Sequence, residues 1–366
     1  MRRVNLKGAA FLFVFLAACG GGGDGGGGPQ TQPASQPQQS QSGNQPNDAT
    51  ARYVAIDLHP SAYVFTDGWG IGDGEQAGQS DFSNTRPGVT HALLWRGSAL
   101  SVVDLNPNGF INSVAYATSG GVQAGFGTTT SGARHALKWF GLAASVVDLD
   151  PGGTTGSEAH GIAGDRVVGF RMTGLDINHA MLWTTSGPID LHPTSGFTSS
   201  AANGTDGTQQ VGSGSNPNGG MGAITHALLW SGSAASVVDL HPATGFSISA
   251  AFAVSGGQQV GEGFIGSNAH ALLWTGSAQS VVDLNPSGFF DSHALGVAGG
   301  RQVGYGVMSG TGATHALLWN GTAASVVDLH TFLPPGFATS RANGIDASGN
   351  IIGTADGHAI LWVRQR

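Results

Sequence analysis

Cysteine is all but missing from this chain: of 366 residues only Cys19 carries a thiol. No internal disulfide is available, so any fold depends on packing and hydrogen bonds, whatever the redox state around it. Charge is scarce too. Asp, Glu, Lys and Arg make up 10% of the chain, and the formal balance is −8. Phosphate backbones demand clustered cations, so nucleic acid is set aside as a partner. The same deficit weighs against a surface that lies flat on anionic lipid. No apolar run approaches the roughly 20 residues of a membrane-spanning helix. Helical periodicity is absent, as are a nucleophile elbow, a Walker loop, an HExxH string and an EF-hand loop. No cofactor and no metal are expected from these strings.

The start of the chain has the form of an export signal. MRRVNLK is basic, and GAAFLFVFLAA is an apolar run too short to span a bilayer. Leu16-Ala17-Ala18-Cys19 resembles a bacterial lipobox, which implies cleavage after Ala18 and acylation of Cys19. Gly20 after the cysteine implies transit to the outer membrane or cell surface. An ordinary cleaved signal, or an uncleaved anchor, with an incidental cysteine is the alternative. The leader holds Arg2, Arg3 and Lys7 and no acid, so its removal takes the charge from −8 to −11. Residues 19–50, rich in Gly, Pro, Gln and Ser, cannot build a core and are expected to form a tether reaching about 30 Å. Residues 51–366 are then one domain, expected to be monomeric.

What the chain does have is glycine, 62 residues of it, and repetition. A His-Ala-x-x-Trp pentad begins at His91, His135, His179, His226, His270, His315 and His358, at intervals of 44, 44, 47, 44, 45 and 43 residues. Each repeat holds four short apolar runs parted by Gly, Ser and Asn, which predicts one four-stranded antiparallel blade of a β-propeller. The pentad is the third strand and a Val-Asp-Leu motif the fourth. The first recognisable element, Val54–Leu58, is a fourth strand with no blade before it. The last, His358–Trp362, is a third strand with none after it. Seven third and seven fourth strands pair only if the termini share a blade. The expectation is an all-β, seven-bladed ring closed by that pairing, which also removes exposed edges. An open stack is the alternative.

The pentads resemble the bacterial extracellular HAF repeat, named for His-Ala-Phe, with Leu or Met here in place of Phe. In strand order the blades resemble kelch repeats. The resemblance covers residues 53–362. It implies an exported propeller and carries no activity with it.

A residue that recurs in every blade does a job every blade needs. Seven histidines spaced around a ring cannot converge on one metal ion, whose ligands must all bond a single point. His91, His135, His179, His226, His270, His315 and His358 are therefore read as hydrogen-bonding partners of neighbouring strands or loops. Trp95, Trp139, Trp183, Trp230, Trp274, Trp319 and Trp362 are read as filling between blades, their indole N–H groups needing partners. The Val-Asp-Leu aspartates and His59, His192, His241 and His330 are structural on the same ground.

Recognition is expected where repetition fails. Aligned on a Ser or Thr, the first strands carry small residues two and four places on. The intervening places are irregular: Asp67, Glu158, His293 and Arg341 one place on, Trp69, Tyr116, His160, Asn203, Phe252 and Asn343 three places on. First strands line a propeller's channel, so these ten are candidates for one asymmetric pocket at its mouth. Packing between unequal blades is the plainer reading. The loops between second and third strands also vary, and they add Phe82, Arg86, Arg134, Arg171, Met172 and Met221 as candidates for binding at one face. Three functions fit: a surface-tethered, non-catalytic module for a glycan, peptide or envelope protein; a lyase- or hydrolase-type enzyme with its site at the channel mouth, drawing on Glu158, His160, Asp67 and His293; and a structural role in the envelope.

Overall fold

Alternation of small and apolar residues between glycine turns folds the described residues into strands alone, apart from short 3-10 turns. The computed structural model describes residues 52–81, 89–150, 156–174, 177–216 and 224–365. Among them lie seven antiparallel sheets of four strands each. Blade 1 is Phe65–Gly72, Glu75–Asp81, Thr90–Trp95 and Val103–Asp104. Blades 2 to 6 repeat that order, their first strands being Phe110–Ser119, Ser157–Ala163, Ser199–Thr205, Ser249–Ser255 and Phe289–Ala298. Blade 7 takes Ser340–Ile345, Ile351–Ala355 and His358–Arg364 from the end of the chain and Tyr53–Asp57 from the start. Val54 faces Val363 and Ile56 faces Leu361 in that pairing. The predicted closure is therefore present, and the fold is a seven-bladed β-propeller.

Each packing cluster belongs to two blades rather than one. Ala77, Ala92, Leu94 and Leu105 of blade 1 meet Ala115, Leu137 and Trp139 of blade 2. Val211, Ala227, Leu229 and Leu240 of blade 4 meet Ala251, Leu272 and Trp274 of blade 5 in the same way. Leu58, Ile352, Ala359 and Leu361 of blade 7 close the circle on Leu93 and Trp95 of blade 1. The seven pentad tryptophans are buried. Their indole groups depart from expectation. Trp362 Nε1 donates to Leu329 O at 3.1 Å, while the other six find no acceptor among the described residues. Area burial, not hydrogen bonding, holds these rings.

Two glycine positions answer a steric need. Every first strand carries a β-bulge at one place, with register shifts at Gly68/Gly70, Ala115/Ala117, Ala159/Gly161, Ala202/Gly204, Ala251/Ala253, Ala294/Gly296 and Ala342/Gly344. The bulge pushes a carbonyl toward the second strand. A Cβ on Gly212 would stand 1.9 Å from Ala201 O, and one on Gly353 the same distance from Arg341 O. Between blades, a Cβ on Gly204 would stand 2.5 Å from Phe252 O.

Antiparallel order fixes two faces. Turns joining first to second and third to fourth strands lie on one, here the turn face. Loops joining second to third strands, and the connections between blades, lie on the other, the loop face.

Candidate functional site

The repeated polar residues account for themselves as latches between blades. In each blade the pentad histidine Nδ1 lies 2.6–2.8 Å from the fourth-strand aspartate Oδ2. The aspartate's other oxygen accepts the amide two residues on, at 2.7–2.9 Å. That residue, His59, Asn106, His192, His241, Asn285 or His330, then reaches the Ser or Thr opening the next first strand, at 2.7–3.0 Å. The hydroxyl also accepts the pentad alanine amide at 2.9–3.0 Å, in all seven blades. Four second histidines stack on the first at 4.0–4.1 Å between ring centroids. Burial, then the neighbouring pentad histidine, holds His59, His192, His241 and His330 below the ordinary histidine value. A neutral imidazole at this place accepts the single hydroxyl proton, leaving the hydroxyl oxygen free to accept the alanine amide. These histidines thus tie the fourth strand of one blade to the first strand of the next.

One junction breaks this pattern. Between blades 2 and 3 the linking residue is Asp150, whose carboxylate takes an ion pair from Arg171 at 2.7 Å. Arg171 occupies the strand position held by Gly127, Gly214, Gly263 and Gly306 in blades 2, 4, 5 and 6. Those glycines lie beneath Phe110, Phe197, Phe246 and Phe289, whose rings a Cβ would meet at 2.5–2.8 Å. In blade 3 the aligned residue in sequence is Thr154, which lies outside the described residues. Large and small have changed places.

A groove opens at the same junction on the loop face, with a volume of about 400 Å³. Arg134, Ser157, Glu158, Phe170, Met172 and Asn178 line it, with Gly132. An Arg134 guanidinium N–H donates to Glu158 Oε1, and the guanidinium lies 5.0 Å from the Phe126 centroid. Glu158 Oε2 lies 3.4 Å from His160 Nε2. Burial pushes the Glu158 carboxyl up, but His160 and Arg134 outweigh it and hold the group ionised. Asn178 Oδ1 is enclosed and has no hydrogen-bond partner among the described residues. Behind the groove runs an aromatic wall: Trp69 to Tyr116 at 6.1 Å, Tyr116 to His160 at 5.5 Å, His160 to Phe170 at 5.4 Å. Loop-face candidates Arg134 and Met172 thus line the groove with channel candidate Glu158, and channel candidates Trp69, Tyr116 and His160 follow in the wall behind Phe170.

The remaining candidates sit elsewhere on the ring. His293 hydrogen-bonds Glu262 through Nδ1 and stacks on Tyr305 at 4.4 Å, and Arg341 covers the same ring at 4.4 Å. Burial pushes Asp67 up to about 6, and its oxygens accept from Thr354 at 2.8 Å and Gln79 at 3.3 Å. Asn203 and Asn343 act as braces, their amides donating to Ala251 O and Gly68 O of the next blade at 2.8 and 2.7 Å. Phe252 is half-buried beside Gly204. The acid–base set of Glu158, His160, Asp67 and His293 is therefore split among separate groups. No three His, Cys, Asp or Glu side chains gather into a metal site among the described residues. Arg171 is engaged by Asp150. Cys19, Phe82, Arg86 and Met221 lie outside the described residues.

Sequence reading missed Gln79, Phe126, Phe170, Glu262, Tyr305 and Thr354. All occupy one slot of the second strand, directly opposite the irregular position one place on in the first. The signal was present as the variable residue just after the repeated second-strand glycine.

No protein-family profile matches the chain, and no curated protein does. Solved structures match its fold. The β-propeller domain of the Trilobed protease from Pyrococcus furiosus, described as having an open velcro topology, superposes with a TM-score of 0.58. It shares 8% identity, over 83% of this chain and 97% of that one. A Mycobacterium tuberculosis puromycin-hydrolyzing peptidase matches with a TM-score of 0.55 and 13% identity, over 87% of this chain and 51% of its own. A prolyl endopeptidase matches with a TM-score of 0.53 and 11% identity, over 83% and 51%. The chain thus spans about half the length of those two peptidases. At such identity the likeness is one of fold. A propeller suits binding or scaffolding, and fold alone assigns no chemistry.

Proposed function

We propose that this protein is a tethered, non-catalytic binding module that engages a glycan, peptide or envelope protein through the loop face, at the groove between blades 2 and 3. The observation that carries the reading is coincidence. The junction where the inter-blade latch is rebuilt also carries a groove, and residues from both irregular sets line it. A rigid ring whose inter-blade latch is rebuilt at one of the described junctions suits recognition, because the scaffold is unaffected by changes at that place. The groove offers a fixed ion pair, an amide oxygen without a partner among the described residues, and apolar walls at Phe170 and Met172. Such a surface orients a polar ligand without supplying a nucleophile.

The leader supports an exported chain held at the outer membrane or cell surface through an acylated Cys19, in keeping with the resemblance to HAF repeats. The alternative, a lyase or hydrolase at the channel mouth, has one observation in its favour: Glu158 and His160 lie 3.4 Å apart. Arg134 and the aromatic wall already occupy both groups, which favours binding over proton transfer.

The test presents the full chain to immobilised oligosaccharides and peptides and to detergent-extracted envelope proteins. Binding without turnover, lost in Glu158→Ala/His160→Ala, is expected. Retained binding in that double variant would exclude the groove as the site. Turnover of any bound oligosaccharide or peptide, lost in the same variant, would favour the enzyme instead.

A further inference from the structure

Five turns between third and fourth strands share one framework, Trp-x-Gly-x-Ala-x-Ser. The serine (Ser101, Ser145, Ser236, Ser280 or Ser325) accepts the amide after the tryptophan and donates to the carbonyl three residues back. A buried glutamine from the second strand accepts the turn glycine amide in each. The framework is thus complete without the x residues, and in blades 4, 5 and 6 these are Ser, Thr, Asn, Ala and Gln. Blades 1 and 2 differ. Leu100 is 99% exposed, Leu142 61% and Phe140 51%. These side chains give the fold nothing that alanine or serine does not give its sister turns. Clustered exposed apolar groups mark a contact surface.

The chain's own path says what that surface meets. Fourth strands begin at the turn face, and Tyr53–Asp57 is the fourth strand of blade 7, next to blade 1 around the ring. The chain therefore enters the propeller at Arg52 on the turn face, the face that also carries Leu100, Phe140 and Leu142, and Tyr53 packs there with Phe332 and with Val303, Ala316 and Leu318 of blade 6. We infer that Leu100, Phe140 and Leu142 dip into the interfacial layer of the bilayer that holds the anchor, so that the loop face points away from it. This rests on the reading of Cys19 as the anchor. The flanking charges fit: Lys138 Nζ lies 5.6 Å from the Phe140 centroid, and Arg96 is paired with Glu75 at 2.7 Å. A lysine stem can lie along apolar groups while its ammonium stays at headgroup level. Three side chains fall well short of the roughly 800 Å² per partner of a stable protein interface. They suffice beside a tethered membrane, where effective concentration is on the order of millimolar. On the loop face, Ile111, Ile177, Ile265 and Phe290 are exposed singly on separate blades.

The repeat supplies its own control. Ser98 and Ser233 are the same exposed residue of the framework in blades 1 and 4. A fluorophore is placed at Ser98→Cys or Ser233→Cys in the full acylated chain, reconstituted into phosphatidylcholine–phosphatidylethanolamine vesicles carrying a nitroxide lipid. Quenching at 98 is expected to exceed that at 233 by about threefold or more, and to fall to the 233 level in Leu100→Ser/Phe140→Ser/Leu142→Ser. An acylated chain with equal quenching at both places overturns the proposal alone. So does patch-dependent dimerisation seen by light scattering. A mass showing no acyl group overturns the anchor reading, and absence of quenching at 98 in that chain overturns both.

Discussion

Blade 4 meets blade 5 through His226, Asp239, His241 and Ser249; blade 2 meets blade 3 through His135, Asp148, Asp150 and Ser157. Both junctions keep the histidine–aspartate bond and the serine that accepts the alanine amide. They part at the third residue. His241 turns inward to the serine at 2.8 Å, while Asp150 turns to Arg171. The regular junction is closed over by Phe246, which stands edge-on to His270. The irregular one carries the groove. Repetition here marks what the ring needs in order to close, and a change in the repeat marks where the surface is free to do something else.

The largest effects are expected at the regular junctions. Trp230→Ala, at a fully buried position, is expected to cost about 3–5 kcal/mol in denaturant unfolding. Gly212→Ala drives a Cβ against Ala201 O and is expected to cost about 3 kcal/mol, the upper end for overpacking. A variant of either kind that unfolds at the same denaturant midpoint as its parent would mean that these places are not the fixed points described. Ser249→Ala strands the His241 imidazole and the Ala227 amide and should cost about 2 kcal/mol.

Acid separates the latches from the channel. His59, His192, His241 and His330 are held below their unfolded value of 6.5, so the unfolded chain takes up protons first as pH falls. Their contribution to stability is therefore lost on acidification from about pH 6.5 downward. Asp67 has the opposite sign. Raised from 3.8 to about 6, it makes the folded state the better proton acceptor between those values, and acidification there adds stability. As pH falls through this range the histidines lower stability and Asp67 raises it. Asn106 and Asn285 fill the same latch place in blades 1 and 5 and accept the same hydroxyl at 2.7 Å. His241→Asn should thus fold with less than about 1 kcal/mol change at pH 7.5 and a shallower decline toward pH 5. An unchanged pH slope would remove the stacked histidines as its source.

Much of this is legible without coordinates. The period defines the blades, and the unpaired Val54–Leu58 and His358–Trp362 imply the closure. The latch chemistry is legible only in outline, because the partner of a pentad histidine lies across a turn, and which residue faces it is a matter of register. Glu158, His160, Trp69 and Tyr116 stand out as irregular, and they do lie together. Their partners Phe126 and Phe170 do not stand out, because they show only once first and second strands are paired residue by residue. The bulge is illegible: small residues on either side of Tyr116 or His160 fit a flat strand equally well. Asn203 and Asn343 are irregular for the same reason that they are braces, since a bulge leaves a carbonyl that needs a donor.

One pair of measurements on the full chain sets the two junctions against each other: thermal unfolding, and binding to the oligosaccharide and peptide panel. Ser249→Ala is expected to lower Tm by several degrees, at about 2–4 °C per kcal/mol, with its binding pattern intact. Phe170→Ser/Met172→Ser, at half-buried groove positions, is expected to leave Tm nearly in place and erase the pattern. A groove variant that binds like its parent, or a latch variant that loses binding while still folded, would contradict the division between ring and groove.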